Sequence, residues 1–337
     1  MIKRLFLLFV LVATYHQSRS QTPYVEIVNN SNKSNIRGLS VVNDNVLWVS
    51  GSGGTVGRSV TGGKNWTWIT VPGYEKVDFR DVEAFDAFTA IIMGIGEPAY
   101  LLKTTDGGQN WKRVFENNTK GMFLDAMDFF NEKQGMVIGD PIDGKFFMAT
   151  TSDGGDSWNI NKETPMADTG EAFFAASGTN LRYFNEGHYF LVSGGRSSKF
   201  YTATTQLVLP ITQGKESTGA NSIDVYDLDK KYKKMMVVGG DYSADTTIRN
   251  NCYYSLDGGK NWNVPKVPPH GYRSCVEYLS DKVLIACGTS GVDFSKNGGR
   301  NWQLIDKGSF NVCRIAKKGS TVYLAGNKGT VAKLRWK

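Results

Sequence analysis

Histidine, cysteine and proline are scarce in this chain of 337 residues, which contains 3 His, 4 Cys and 9 Pro. So few cysteines exclude a disulfide-dense domain, and their spacing matches neither a metal-binding nor a redox CxxC motif. Beyond the first 20 residues only His188 and His270 remain, and they are isolated, which excludes a histidine-based metal centre. No flavin, nicotinamide or haem motif is present either, so we expect neither a cofactor nor a metal.

Long apolar runs and a strong charge of one sign are also missing. Beyond Ala13 no apolar stretch approaches the roughly 20 residues of a membrane helix, so we expect no transmembrane segment in the mature chain. The formal net charge is +7, and it falls to +4 if Lys3, Arg4 and Arg19 are removed with a leader. So small a charge argues against a nucleic-acid partner. The 38 Gly and 12% aromatic residues are typical of a folded, all-β protein.

The first 20 residues have the pattern of an export signal. Lys3 and Arg4 precede an apolar run over residues 5–13, and the small residues Ser18 and Ser20 stand just before a cleavage site at Gln21. We therefore expect residues 1–20 to be removed and the protein to be exported, to the periplasm or the extracellular space. No cysteine follows the cleavage site, so a lipid anchor is not expected.

One short phrase recurs five times and predicts the fold. It has the form Ser/Thr-x-Asp-Gly-Gly-x-Asn/Ser-Trp, with Asp106, Asp153 and Asp257 at the acidic position in three copies and Thr61 or Asn297 in the others. The copies end at Trp66, Trp111, Trp158, Trp262 and Trp302, with spacings of 45, 47, 104 and 40 residues. The third spacing equals two periods, so one repeat has lost its phrase. A β-type repeat of about 40 to 50 residues indicates propeller blades.

The phrase itself reads as a turn between two strands. An Asp side chain binds nearby backbone N–H groups, two glycines supply positive φ, and the Trp packs between adjacent sheets. The pattern resembles the Asp-box, or bacterial neuraminidase repeat, which joins the third and fourth strands of a blade. Thr61 and Asn297 lack the acidic group, so we expect their turns to be held less tightly.

Strand-like runs around the phrases predict a seven-bladed β-propeller with four antiparallel strands per blade. The innermost strands are predicted to begin near Arg37, Arg80, Leu124, Ser177, Asn221, Arg273 and Asn311. The seventh blade has only three strands of its own, so we expect residues 24–28 to add the fourth and to close the ring. Residues 21–337 are therefore interpreted as a single domain.

Strand direction separates the loops into two faces. The Asp-boxes lie on one face, and the loops at residues 94–98, 139–144, 194–198 and 240–245 lie on the other, with the long connection 162–173. Long loops on one rim usually carry function. We call this second face the top face and expect the binding site there.

Three arginines, Arg37, Arg80 and Arg273, are predicted at equivalent positions near the mouth of the central channel. Such an arc of guanidiniums would bind a carboxylate, sulfate or phosphate group. Other candidate ligand-binding residues on the top face are Glu97, Asp143 and Arg196. The alternative interpretation is that these charges pair with one another and line a solvated channel.

Carboxylates on the same face leave a catalytic alternative open. Paired carboxylates about 5 to 9.5 Å apart can cleave a glycosidic bond, and the candidates are Asp81, Asp125, Asp140 and Glu171. The segment around Arg80 departs from the sialidase pattern, and no tyrosine matches the sialidase nucleophile.

The cysteines lie in the last third of the chain. Cys275 and Cys287 are predicted to face each other across a hairpin, because their positions are symmetrical about a turn at residues 280–282. Both a disulfide and a reduced core pair fit this arrangement. Cys252 and Cys313 are expected to be buried free thiols.

The segments 78–86, 139–146 and 170–179, together with the Asp-boxes, resemble the secreted bacterial propellers related to the photosystem II stability/assembly factors. The resemblance extends over the whole mature chain and implies a seven-bladed propeller. It also implies a non-catalytic role, since the photosynthetic members hold a membrane-protein partner on an arginine-rich face.

We therefore expect an exported binding or assembly propeller that holds a protein or an anionic glycan on its top face. The alternative is a carbohydrate-active enzyme, a glycoside hydrolase or a polysaccharide lyase, that uses the top-face carboxylates. An oxidoreductase is not expected, because no cofactor motif is visible.

Overall fold

The computed structural model describes residues 22–185, 187–226 and 231–337. Within these ranges, 29 strands form seven antiparallel sheets, which are the blades of a propeller around a central channel. The predicted export signal over residues 1–20 lies outside the described residues. Of the helical elements in the described ranges, which are two short 3₁₀ turns, neither is long and apolar enough to cross a membrane.

The strands of the first half of the chain follow one another from the axis to the rim of each blade. Strand β1 (Pro23–Asn29) comes before the first complete blade. Blade 1 contains β2 (Ile36–Val41), β3 (Leu47–Gly51), β4 (Thr55–Ser59) and β5 (Thr67–Thr70). Blade 2 contains β6 (Phe79–Ala84), β7 (Ala90–Gly94), β8 (Ala99–Thr104) and β9 (Lys112–Asn117). Blade 3 contains β10 (Leu124–Phe129), β11 (Gly135–Ile142), β12 (Lys145–Thr151) and β13 (Asn159–Ile160).

Blades 4 and 5 are less regular. The short strand β14 (Glu171–Ala172) comes before blade 4, which contains β15 (Leu181–Asn185), β16 (His188–Val192), β18 (Lys199–Tyr201) and β19 (Gln206–Val208). Strand β17 (Gly194–Gly195) leaves blade 4 and, with β14, extends the inner edge of blade 5. Blade 5 contains β20 (Thr218–Tyr226), β21 (Lys234–Asp241) and β22 (Cys252–Ser255), and its outer strand is reduced to a bridge between Tyr254 and Asn263.

The last two blades close the ring. Blade 6 contains β23 (Cys275–Tyr278), β24 (Leu284–Gly288), β25 (Gly291–Ser295) and β26 (Gln303–Asp306). Blade 7 contains β27 (Val312–Ile315), β28 (Val322–Ala325) and β29 (Val331–Trp336), with β1 as its outermost strand. The 3₁₀ turns cover Tyr242–Ala244 and Asn327–Gly329. Seven blades and the closing N-terminal strand confirm the fold predicted from the repeats.

The predicted strand starts agree best where the repeat is regular. In blade 4 the innermost strand begins at Leu181 rather than near Ser177, and in blade 5 it begins at Thr218 rather than Asn221. Ser177 belongs instead to a segment that crosses the channel, described below. Blade 4 is also the blade without the phrase, since a tight turn between Thr202 and Thr205 replaces it.

The five phrases form matching turns that rest on two side chains. The first residue, a Ser or Thr, accepts a hydrogen bond from the N–H of the second glycine, as Thr104 Oγ1 does from Gly108 N at 3.0 Å. The Asp accepts from the residue before the Trp, as Asp106 does from Asn110 N at 2.9 Å and Asn110 Nδ2 at 2.8 Å. These bonds from Asn110 lower the pKa of Asp106 to about 2.

The two altered copies keep part of this pattern. Thr61 Oγ1 and Asn297 Oδ1 each accept one backbone bond at 2.9 Å, from Asn65 N and Asn301 N respectively. The charged acceptor that takes two bonds from Asn110 is missing in both turns. This is the weaker attachment that the sequence predicts.

In two of the phrases the Trp ring meets an aromatic ring of the preceding blade. Trp111 of blade 2 meets Trp48 of blade 1 edge to face, with ring centroids 6.4 Å apart. Trp262 of blade 5 meets Phe200 of blade 4 in the same way, at 5.4 Å. The phrase therefore joins neighbouring blades as well as neighbouring strands.

Strand β1 closes the ring by pairing with β29 from Pro23↔Trp336 to Ile27↔Ala332. Val25 faces the core between blades, whereas Ile27 is 59% exposed. We expect Val25→Asp to destabilise the fold by at least about 2 kcal/mol, because a carboxylate would replace an apolar contact at the closing strand. Urea unfolding should show this loss, and Ile27→Asp is the matched control that should unfold like the unmodified chain. Equal midpoints for all three proteins would contradict this role of β1.

Candidate functional site

The innermost strands of four blades carry a β-bulge at the same place, on the top face. The extra residue is Arg37 in blade 1, Arg80 in blade 2, Asp125 in blade 3 and Asn221 in blade 5. A bulge leaves its residue outside the regular pairing and redirects the side chain. The sequence had placed Arg37 and Arg80 at equivalent positions, and the register of their strands agrees with it.

Arg273 does not occupy the equivalent position, which corrects the predicted arc of three arginines. The backbone N–H groups of Ile36, Arg273 and Phe310 each donate to a glycine carbonyl of the preceding blade, at 3.1 to 3.2 Å. Arg273 is therefore the counterpart of Ile36, and Ser274 is the counterpart of Arg37. A shift of one residue turns a side chain to the opposite side of a strand.

The shift buries the Arg273 guanidinium. The side chain has no solvent exposure and forms an ion pair with Asp293, with Nε 2.8 Å from Oδ2. It also donates to Ser290 Oγ at 2.9 Å. Arg273 thus holds the connection that precedes β23 against the rest of blade 6.

A segment for which the sequence predicted no role at the axis covers the channel. Residues 173–179 lead from blade 3 into blade 4, yet they contact blades on the far side of the axis. Ser177 Oγ donates to Ser274 O of blade 6 at 2.7 Å, and Arg314 of blade 7 donates to Gly178 O at 3.5 Å. Arg37 of blade 1 donates to Ala176 O at 3.5 Å. We call residues 173–179 the plug.

Glycine is required at one point of the plug. Gly178 has a φ of 66°, and a Cβ atom there would lie 2.2 Å from a carboxylate oxygen of Asp81. Any other residue would therefore meet both an unfavourable backbone conformation and a clash. The small residues of the plug, among them Ala175 and Ala176, fit the narrow space at the axis.

Arg37 and Arg80 lie side by side at the edge of the plug. Arg37 is half-buried, its Nε has no hydrogen-bond partner among the described residues, and it forms no ion pair with a carboxylate in that part of the chain. Burial, followed by the nearby charge of Arg80, lowers the pKa of Arg37. Arg80 donates from Nε to Asp78 Oδ2 at 2.9 Å and lies 5.7 Å from the ring centroid of Phe123.

Two carboxyl groups of blade 3 complete this part of the site. Asp125 is fully buried, and neither oxygen forms a hydrogen bond of good geometry within the described ranges, although the backbone N–H groups of Ala175 and Asp140 lie close to it. Burial, and then the neighbouring Asp140, raises the pKa of Asp125 well above its usual range. Asp140 accepts a bond from Phe173 N at 2.9 Å, and burial raises its pKa to about 6.

The other two candidate catalytic carboxyls have structural partners. Asp81 accepts bonds from Val82 N and Met127 N, each at 2.8 Å, and burial raises its pKa to about 8. Glu171 is buried against Lys199 Nζ at 3.2 Å and Tyr201 Oη at 2.6 Å.

The remaining predicted residues lie on the outer part of the top face. Glu97 is exposed and accepts from Gly121 N at 2.6 Å, and Asp143 is exposed at a hairpin tip with a φ of 52°. The Arg196 side chain is 60% exposed and borders a cleft of about 500 Å³ with Lys215 and Tyr242. Among the described residues, no ion pair joins these three residues to Arg37 or Arg80.

Sequence reasoning missed the aromatic groups of this face. Phe123 lies under the Arg80 guanidinium, and Phe174 of the plug meets Tyr242 edge to face at 5.9 Å. Tyr242 is 48% exposed beside the cleft. An exposed aromatic in a loop is a signal for binding, and the position of Tyr242 in loop 240–245 could have indicated it.

Comparison with known proteins gives a consistent result. The sequence model of the family described as "Photosynthesis system II assembly factor YCF48" matches residues 17–336. The chain is similar to the photosystem II assembly lipoprotein Ycf48 of Synechococcus sp. (strain CC9902), with 24% identity over 96% of this chain and 91% of that protein.

Two solved structures have the same fold. The structure titled "YCF48 bound to D1 peptide" is 18% identical, with a TM-score of 0.65, and the match covers 92% of this chain and 96% of that one. YCF48 from Cyanidioschyzon merolae is 16% identical, with a TM-score of 0.67, and the match covers 93% and 99% of the two chains.

Asp125 provides a test of the buried acidic pair. In the folded protein the pKa of Asp125 is above the value of about 4 that it has in the unfolded chain. The protonated carboxyl therefore contributes its full stabilisation below about pH 4, and this stabilisation is lost as pH rises. We expect Asp125→Asn to lose less stability than the unmodified chain between pH 5 and pH 8, as measured by urea unfolding at each pH. Asp106→Asn is the control, because Asp106 is ionised at both pH values. Parallel losses in the unmodified and Asp125→Asn proteins would show that Asp125 does not titrate in this way.

Proposed function

Because this chain belongs to the family of the photosynthesis system II assembly factor YCF48, we propose that it is a non-catalytic propeller that holds a segment of a partner protein. The proposed binding surface is the top face around the plug. A solved structure shows YCF48 bound to a D1 peptide, and this supports a peptide ligand for the protein described here.

The observation that carries the proposal is the pair Arg37 and Arg80. Arg37 is a half-buried guanidinium without a carboxylate ion pair among the residues described, so part of its hydrogen-bonding capacity is unused. Arg80 is 26% exposed, with Phe123 beneath it. A peptide carboxylate could accept bonds from both guanidiniums, since Arg presents a planar fork of donors that matches a carboxylate.

The second part of the surface suits the rest of a peptide. Tyr242 offers an exposed ring next to Phe174, and the neighbouring cleft contains Arg196, Lys215 and Glu216. Aromatic and arginine side chains are enriched at protein interfaces. The combination favours a ligand with one carboxylate and at least one apolar side chain over a purely anionic glycan.

The burial of the candidate carboxyl groups favours peptide binding over the enzymatic alternative. Asp81, Asp125 and Glu171 are each 3% exposed or less. A glycosidase needs two carboxyl groups that reach the same bond, with room for a sugar. Of the four candidates, only Asp140 is even partly accessible.

Export is the second part of this proposal. The leader pattern of residues 1–20 supports it, and a relative that carries the name of a lipoprotein is in accord with it. We place the working protein in the periplasm or the extracellular space, where it would meet newly exported partner segments.

Binding of peptides tests the proposal directly. A displayed library of random peptides with free carboxyl termini should yield ligands for the unmodified protein. Arg80→Ala should weaken the binding of selected peptides by about 1.5 to 3 kcal/mol, the usual loss for a hydrogen bond to a charged group. The loss should shrink at high salt, because Arg80 is partly open to solvent. Fluorescence anisotropy measures both effects.

Arg113→Ala is the matched control. Arg113 is an arginine on the outer strand β9, its side chain is 52% exposed, and it pairs only with Glu116 in the described structure. Binding by this variant should equal that of the unmodified protein. The same affinity for Arg80→Ala and Arg113→Ala would reject the arginine pair as the site, and new reducing ends in a glycan screen would favour the enzymatic alternative.

A further inference from the structure

Three of the four cysteines meet in the core between blades 6 and 7. Cys275 on β23 pairs directly with Cys287 on β24, as the sequence predicts. Cys313 on β27 joins them from the next blade, with its Sγ 3.6 Å from Sγ of Cys275. The three sulfur atoms lie within 4.8 Å of one another, and all three side chains are fully buried and free of disulfides.

This spacing fits a single metal ion between the sulfurs. With metal–sulfur bonds of about 2.3 Å, three sulfurs in a plane around one ion are about 4.0 Å apart. The Cys313–Cys275 sulfur distance of 3.6 Å is slightly shorter than the required one, and no pair of the three sulfurs is more than 4.8 Å apart. Small rotations of the side chains would bring the sulfurs to the required spacing. A disulfide would use only two of the three thiols and would leave the third unexplained.

Charge and access also favour an ion. Arg314 Nη1 lies 3.8 Å from Cys275 Sγ, and a nearby positive charge stabilises the thiolate, which is the form that binds metals. Arg314 and Glu277 also line a channel cavity of about 130 Å³ below the plug. Side-chain movement of Arg314 would connect this cavity with the cysteines.

We propose that Cys275, Cys287 and Cys313 form a three-thiolate site for a soft metal ion of the Cu(I) class. Thiolate ligands select soft ions. Structural zinc takes four ligands, and among the described residues no further His, Cys, Asp or Glu belongs to the cluster. A closed-shell ion that accepts three ligands fits this set. Binding one Cu(I) releases the thiol protons to solvent as the copper–sulfur bonds form, and no electron is transferred.

The site would join two blades near the point where the ring closes. Cys275 and Cys287 belong to blade 6 and Cys313 to blade 7. A bound ion therefore stabilises the folded state, which holds the three thiolates together, relative to the unfolded chain.

The test titrates the full-length protein, reduced and kept free of oxygen, with Cu(I) in competition with bicinchoninate. We expect one tightly held Cu(I) per chain, and an X-ray absorption spectrum with three sulfur neighbours. Cys313→Ser should weaken the binding of Cu(I) by more than about 100-fold, since losing even an outer-shell partner of a metal site costs about 10- to 100-fold.

Cys252→Ser is the matched control. Cys252 is equally buried but lies in blade 5, where its Sγ contacts Met236 Sδ at 3.3 Å. This variant should keep the affinity of the unmodified protein. Circular dichroism identifies a variant that fails to fold, and in that case the spectrum of the unmodified protein decides. Failure of the reduced protein to retain Cu(I), or a spectrum with fewer than three sulfurs, would overturn the proposal. So would a disulfide among these cysteines in protein isolated without reductant.

Discussion

Each blade of the propeller has two apolar faces, and the ring holds together because a neighbouring blade covers each of them. Six clusters of buried side chains fill the spaces between consecutive blades, and the largest extends over blades 6, 7 and 1. This cover is complete only if the ring closes, and the pairing of β1 with β29 closes it. The repeated turns serve the same requirement, since Trp111 and Trp262 each reach the blade before their own.

Closure of the ring also creates a narrow channel whose polar groups need hydrogen-bond partners. Seven innermost strands converge there, and their polar backbone and charged side chains must be satisfied in a narrow space. The plug does this from above through bonds to Ser274, Arg37 and Arg314. Its presence explains why Arg37 is half-buried, and also why Asp81 is buried against Gly178. The proposed binding surface is therefore a consequence of how the channel is filled.

Local repetition made the fold predictable. The five phrases have fixed chemistry, so the number of blades, the faces and the closing strand followed from their spacing. The candidate site was harder to predict from the sequence, because it depends on contacts between residues far apart in the chain. Strand position predicted correctly that Arg37 and Arg80 are equivalent. For blade 6 the prediction was wrong by one residue, because Ser274 and not Arg273 is the counterpart of Arg37, and no local sequence signal shows which of the two takes that position. The sequence marked segment 170–179 by its resemblance and Cys313 as a buried thiol. It did not predict that the plug crosses the channel or that Cys313 meets Cys275, because these partners lie in other blades.

The plug has one further consequence, which concerns symmetry. A ring of seven similar blades would present seven nearly equivalent directions to anything that approaches along its axis. Residues 173–179 enter from one connection only and cross to the opposite side, so they remove this equivalence. The plug then fixes the directions in which Arg37, Arg80 and the cleft beside Tyr242 lie around the axis. A ligand on the proposed binding surface would therefore have a single rotational setting.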